Sequence, residues 1–233
     1  MKKILYTFLF LSIAFISRGQ IKVEYSIGYG NYKMEGMKTE LIRIQEELKQ
    51  QFPLSIAITD NFPGYVIHTA GINYKSGRHE LGTNFTYLST AGRLAYSDYS
   101  GELVDKINLN AFRIGMVYRS YFHQLALNKN NRLAFFAEVS PGLTFTKTKT
   151  KAYTKTAATE IKLDEKYGFN STSTSLSVLP QLGLKYELPY GLGLHISGGY
   201  DIEMEGSLNQ NENVKVDWSG VRIGGGFSYL LPF

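Results

Sequence analysis

Apolar and polar side chains alternate along most of this chain with a period of two, the spacing of a strand with two unlike faces. Eight stretches carry the pattern. IKVEYSIGYG sets Ile21, Val23, Tyr25, Ile27 and Tyr29 against Lys22, Glu24, Ser26 and Gly28. YVIHTAGINY groups Val66, Ala70, Ile72 and Tyr74 on the face that also carries His68, and ELGTNFTYL groups Leu81, Phe85 and Tyr87. AFRIGMVYRSY sets Phe112, Ile114, Met116 and Tyr118 against Arg113 and Arg119, and FFAEVSPGLTFT sets Phe135, Val139, Leu143 and Phe145 against Glu138 and Thr144. LSVLPQLGLKYEL and LGLHISGGYDIEME continue in the same way, the second placing His195, Ser197, Asp201 and Glu203 together. In the last stretch Ile223, Phe227, Tyr229, Leu231 and Phe233 stay in step to the final residue.

One stretch follows a different period. In GMKTELIRIQEELKQQFP, Met37, Leu41, Ile44 and Leu48 recur at helical spacing, Arg43 and Glu47 form an i,i+4 pair, and Pro53 ends the run. This predicts an amphipathic helix after the first strand, either capping the strands' open end or lying on a lipid surface. Two prolines, Pro141 and Pro180, fall inside strand stretches, where each removes a ladder hydrogen bond, and bulges are expected there. A further bulge is expected near Ser219–Gly220, where the alternation slips.

The connections alternate in length. KSGRH, PYG and the medium HQLALNKNNR lie on one rim, whereas Met34–Pro63, Ser89–Lys106, Lys147–Thr174 and Gly206–Asn213 lie on the other. An even strand number with short turns at one end and long loops at the other is the layout of a transmembrane barrel. The expected fold is therefore all-β: an eight-stranded antiparallel up-and-down barrel, with an amphipathic helix in its first long loop.

Composition agrees. Aromatics make up 14%, with 17 Tyr and 14 Phe, and Gly is frequent at 23 residues, a mixture suited to strands and tight turns rather than helical bundles. The absence of Cys excludes disulfides, thiolate chemistry and lipid attachment through an N-terminal Cys. Tyr74, Tyr121, Tyr186, Tyr190 and Tyr229 would gather at the short-turn rim, and Tyr29, Tyr65, Tyr87, Phe145 and Trp218 at the other, as two girdles.

The start, MKKILYTFLFLSIAFISRGQ, has the form of an export signal: Lys2 and Lys3, an apolar run too short to span a bilayer, and Ser17 and Gly19 before a cleavage point at Gln20. Residues 1–19 are read as signal peptide and residues 20–233 as the barrel domain. Cleavage would remove Lys2, Lys3 and Arg18 and lower the net charge of +5, so the chain offers no case for nucleic acid.

Gly226, Phe227, Tyr229 and the terminal Phe233 resemble the strand ending through which the barrel-assembly machinery recognises its clients. With the signal and the eight strands, the whole of residues 20–233 resembles the small outer-membrane β-barrel proteins of Gram-negative bacteria. Ser89–Glu102 and Thr59–Tyr65 look like loops of Bacteroidetes-type members. The resemblance implies an outer-membrane location, no enzymatic activity, no cofactor or metal, and contact with outer-membrane lipids and lipopolysaccharide, as a monomer.

Three candidate chemistries remain. His195 and Ser197 share a strand face, and a His-x-Ser pair resembles the catalytic strand of lipid A 3-O-deacylase barrels, although Gly198 stands where that family has Asn. Arg113, Arg119, Glu138, Lys185, Glu187, Asp201 and Arg222 share the inner face by parity, which predicts an interior ion-pair plug, with a narrow pore as the alternative. Lys147, Lys149, Lys151 and Lys155 alternate with Thr and Ala, as a solvated stripe or as a site for anionic saccharide or lipid phosphates.

Overall fold

The computed structural model describes residues 19–51, 54–99, 101–128, 130–156, 160–162, 170–204, 206–208 and 211–232. The export signal up to residue 18 and the terminal Phe233 lie outside them.

Eight long strands close into a ring. They are β1 (Gln20–Gly30), β3 (Tyr65–Ser76), β4 (His79–Ser97), β5 (Gly101–Ala126), β6 (Arg132–Thr156), β8 (Asn170–Glu187), β9 (Leu192–Met204) and β12 (Gly220–Leu230). Each pairs antiparallel with its neighbours, in the order β1-β3-β4-β5-β6-β8-β9-β12, and β12 returns to β1 from Lys22↔Leu230 to Gly30↔Arg222. The ring has no free edge, which is how a barrel satisfies its own backbone.

The short-turn rim is as expected. Gly77 takes φ 60° in the β3–β4 turn, the Asn128 carboxamide accepts the amides of Asn130 and Asn131 in the β5–β6 turn, and Pro189–Gly191 forms a single 3₁₀ turn before β9.

The other rim differs from the sequence expectation. Much of what reads as long loop is strand: β4 and β5 run on past Ser89 and Lys106 until Ser97 faces Glu102 and the Asp98 amide donates to the Gly101 carbonyl, and β6 continues to Thr156. Four short strands join this extension: β2 (Ala57–Asn61) on β4, β7 (Glu160–Lys162) on β6, and β10 (Gly206–Leu208) with β11 (Asn211–Val216) as a hairpin. Helix α1 (Glu35–Gln51) packs against β2, β4 and β11. Its first turn lies so close to β11 that a Cβ at Gly36 would sit 2.5 Å from the Lys215 carbonyl oxygen.

Neither proline makes a bulge. Register is continuous on both sides of Pro141 and Pro180; pairing lapses only towards β5 at Pro141 and towards β9 at Pro180, while the two prolines pair normally across β6 and β8. Each proline therefore interrupts the ladder on one side only, over two residue pairs. The slip before β12 is likewise a break rather than a bulge: residues 217–219 leave the strand, and Gly220 re-enters it with φ 154°, its Cα against the Asn31 carbonyl.

The barrel is two storeys with opposite polarity, and β5 shows the change within one strand. From Phe112 to Tyr118 the outward residues are apolar and exposed, Met116 at 69%, while inward Arg113 and Arg119 are buried. Beyond Phe112 the signs exchange: Ile107, Leu109 and Ala111 are buried inward, and Lys106, Asn108 and Asn110 face out. The exchange occurs at the same level on the neighbouring strands, because the register aligns Tyr87, Phe112 and Phe145 in one outward row.

Above that row lies the apolar core. Met37 and Leu41 of α1 are fully buried against Leu88 and Leu94 of β4, Ile107 and Leu109 of β5, and Leu208, Val214 and Val216 of the hairpin. Ile44 and Leu48 pack at its margin, so the helix caps the barrel mouth. Trp218 is buried here at 1% exposure rather than in a girdle, its ring edge-on to Tyr32 and its indole N–H donating to Thr146 Oγ1 at 2.8 Å.

Candidate functional site

Below the aromatic row the interior is filled by charge. Arg119 stands at its centre, donating to Glu138 at 2.6 Å and Glu24 at 3.0 Å, with Glu80 at 3.4 Å and the Phe136 ring under the guanidinium at 4.4 Å. Glu80 also takes Lys22, the Tyr121 hydroxyl at 2.8 Å and Lys185 at 3.8 Å, and Lys75 pairs with Glu187. Four cations thus meet four carboxylates from strands on opposite sides of the ring. Charges so buried are tolerable only when paired and hydrogen-bonded.

A second cluster lies nearer the row. Arg113 donates to Ser177 Oγ at 2.8 Å and to Ser140, with Asp201 at 3.9 Å. Arg222 reaches Asp201 at 3.4 Å and the Trp218 carbonyl at 2.6 Å, and lies 4.9 Å from the Tyr32 ring. Glu203 accepts from the Ser175 hydroxyl and the Trp218 amide. These contacts tie the lumen to the floor of the apolar core.

All seven charged residues that parity assigns to the inner face are there, and all are in these clusters. Parity places Lys22, Glu24 and Glu80 on the same face without marking them out, yet Glu80 holds four partners and only Arg119 is as central. Tyr121 is corrected: it is buried inside, hydrogen-bonded to Glu80, because it follows Arg119 in phase and not Tyr118.

His195 and Ser197 both face the lumen, beside a cavity of about 60 Å³ that Arg113, Arg119 and Asp201 also line. Among the described residues no hydrogen bond joins the two, and His195 Nδ1 has no partner. A nucleophile, its base and an orienting acid work as a hydrogen-bonded series, and among the described residues His195 and Ser197 do not form one. No cluster of His, Cys, Asp and Glu among the described residues could hold a metal ion.

Lys147, Lys149, Lys151 and Lys155 all point outward from β6, while Thr146 and Thr148, in the opposite phase, are buried. On α1 the exposed Arg43 bridges Glu40 at 2.6 Å and also pairs with Glu47.

No protein-family model matches the chain, and no curated protein does. Among solved structures the chain is similar to Ail, the attachment invasion locus protein of Yersinia pestis, at 12% identity and a TM-score of 0.36, over 90% of this chain and 99% of that one. The same protein in complex with the heparin analogue sucrose octasulfate gives 12% identity and a TM-score of 0.35 over the same spans. Likeness of this extent assigns neither partner nor activity.

Proposed function

We propose that the chain is an outer-membrane barrel of a Gram-negative bacterium, whose lower storey spans the bilayer and whose upper storey is an ordered, externally displayed surface for contact with partners. The observation that carries this reading is the inverted lower storey. Its outward face is a continuous band of exposed Ile, Leu, Phe and Met, Leu182 at 65%, around a charged interior. On β9 the band runs from Leu192 to Ile202; ten steps of about 3.4 Å, tilted about 40°, give roughly 25 Å, the height of an outer-membrane apolar belt. Among the described residues no helix is long and apolar enough to cross a membrane; strands cross in this reading.

The role is display rather than conduction or catalysis. Ion pairs fill the lumen below and the apolar core covers it above, and the cavity beside His195 and Ser197 holds about 60 Å³, room for very few waters. His195 and Ser197 face that cavity, away from any acyl chain on the outer surface. Export through residues 1–19, assembly through the strand that ends at Phe233, and a monomeric state belong to the same proposal.

The test compares one substitution at two heights. The purified chain should migrate faster unheated than heated on a denaturing gel. Ile196→Arg, in the band, should cost about 2–4 kcal/mol in a folding titration into lipid vesicles. Asn108→Arg, outward but above the aromatic row, should change stability by no more than about 0.5 kcal/mol. Equal costs, or a chain that shows no heat-dependent shift, would remove the membrane reading.

A further inference from the structure

The outward face of the upper storey is uneven in charge. Lys147, Lys149 and Lys151 stand about 7 Å apart along β6, every second residue facing out. The register sets Asn110, Asn108 and Lys106 of β5 beside them in that order. Among the described residues no carboxylate lies within ion-pair distance of these four lysines. Glu102, at the upper end of the face, is held by Arg93 at 3.6 Å.

A groove adjoins this row. Asp60, Pro63 and Tyr65 border, with residues of β4 and β5, a half-open groove of about 320 Å³. Its floor includes Tyr87, Lys106, Asn108 and Asn110, and its wall Asp60 and Tyr65. The Tyr87 hydroxyl donates to Asn110 Oδ1 at 2.7 Å, which leaves the Asn110 amino group to donate outward. Carboxamides and a carboxylate beside phenol rings suit a sugar ring, whose hydroxyls need donors and acceptors and whose C–H face needs an apolar wall.

Height selects the source of such a ligand. Asn110 and Lys147 each lie two residues beyond Phe112 and Phe145, so groove and lysines begin one side-chain step above the row where the apolar band ends. Lipid headgroups lie at that level, and anionic headgroups attract clustered Lys. The geometry points to a binding site for an outer-leaflet lipid with a phosphorylated sugar headgroup. The sugar occupies the groove, the phosphate meets Lys106, Lys147 and Lys149, and the acyl chains run down past Phe112 and Phe145. This rests on the membrane reading and adds to it the class of lipid and its place.

The test inserts the mature chain into vesicles of phosphatidylcholine alone, with phosphatidylglycerol, or with lipid A, and reads lysine acetylation by mass spectrometry. Lys106, Lys147 and Lys149 should be protected several-fold more by lipid A than by phosphatidylglycerol. Lipid A carried through detergent exchange should fall about tenfold or more in the K106Q/K147Q/K149Q variant. Asn108→Ala with Asn110→Ala should abolish the preference for lipid A over phosphatidylglycerol. Equal protection by the two anionic lipids, or equal protection by soluble glucosamine phosphate, overturns the proposal, as does unchanged lipid A retention in the lysine variant. Footprinting uses the unaltered chain, so a variant that does not fold leaves the first measurement decisive. A chain that fails to enter phosphatidylcholine overturns the membrane reading instead.

Discussion

The two halves of β5 follow one alternation with opposite signs. From Phe112 to Tyr118 the strand turns its apolar residues outward and its arginines inward; from Lys106 to Ala111 it does the reverse. Nothing in the backbone marks the change, since the ladder with β4 runs unbroken from Glu102 to Ser120. A strand dictates only that neighbours face opposite ways. Which face is buried depends on what surrounds it: hydrocarbon in the proposed lower storey, and water above, where α1 and the β10–β11 hairpin supply an apolar interior. The lower storey is therefore held by paired charges and the upper by packing, and each should fail in its own way.

The largest effect is expected in the lumen. Glu80→Ala removes the shared partner of Lys22, Arg119, Lys185 and Tyr121. The three cations then share only Glu24, Glu138 and Glu187, and removing one carboxylate from this buried network should cost about 3–5 kcal/mol, read as lower urea resistance of the heat-modifiable form. Glu102→Ala, which breaks the partly exposed pair with Arg93 in the upper storey, should cost no more than about 1 kcal/mol. Similar losses would mean that the lumen pairs contribute no more than surface ones.

The upper storey should yield first to a packing defect. Leu41→Ala empties a fully buried site between α1 and the strands and should cost about 2–5 kcal/mol. Trp218 is the sole tryptophan and lies in this core, so its emission reports the upper storey alone. The variant should lose Trp218 burial, and become cleavable within Glu35–Gln51, at urea concentrations where the gel shift persists. Simultaneous loss of both signals would make the two storeys a single cooperative unit.

This division also explains what the sequence revealed and what it hid. The ring, its eight strands, the inward charges and the helix were legible because large apolar residues contrast strongly with Arg, Glu and Gly at every second position. The upper storey was not. In LVDKINLNAF the apolar residues Ile107, Leu109 and Ala111 occupy the opposite phase to Phe112, so the stretch resembles a loop leading into a strand rather than a strand that changes sides. Along β6 the buried partners are Thr146 and Thr148, with no apolar signal at all. Trp218 was misplaced for a related reason. The slip before Gly220 is visible in the sequence, but its consequence, that Val214, Val216 and Trp218 face inward while Val221 and Ile223 face outward, follows only once both halves are seen in space.

The smallest predicted effect probes the chemical flaw in the upper core. Asp105 continues the inward phase of Ile107 and Leu109, paired across the ladders with Leu94 and Ala152, and its Oδ1 has no hydrogen-bond partner among the described residues. Burial pushes its carboxyl up to about 6, from an ordinary 3.8. The folded chain therefore holds a proton that the unfolded chain has released between about pH 4 and 6, so stability falls as pH rises through that window and stays low above it. For a fully enclosed carboxyl such a rise would correspond to about 3 kcal/mol; partial contact with water reduces this to about 1–2 kcal/mol. Urea titrations followed by Trp218 emission should show a more resistant upper storey at about pH 4.5 than at about pH 8. Lumen carboxylates also titrate, so the decisive quantity is the difference from Asp105→Asn. That variant should be more stable than the unaltered chain at about pH 8 by about 1–2 kcal/mol and should lose the advantage as the pH approaches about 4. A difference that is constant with pH, or one that grows on acidification, would mean that Asp105 is solvated in the folded chain and that the upper core is closed without it.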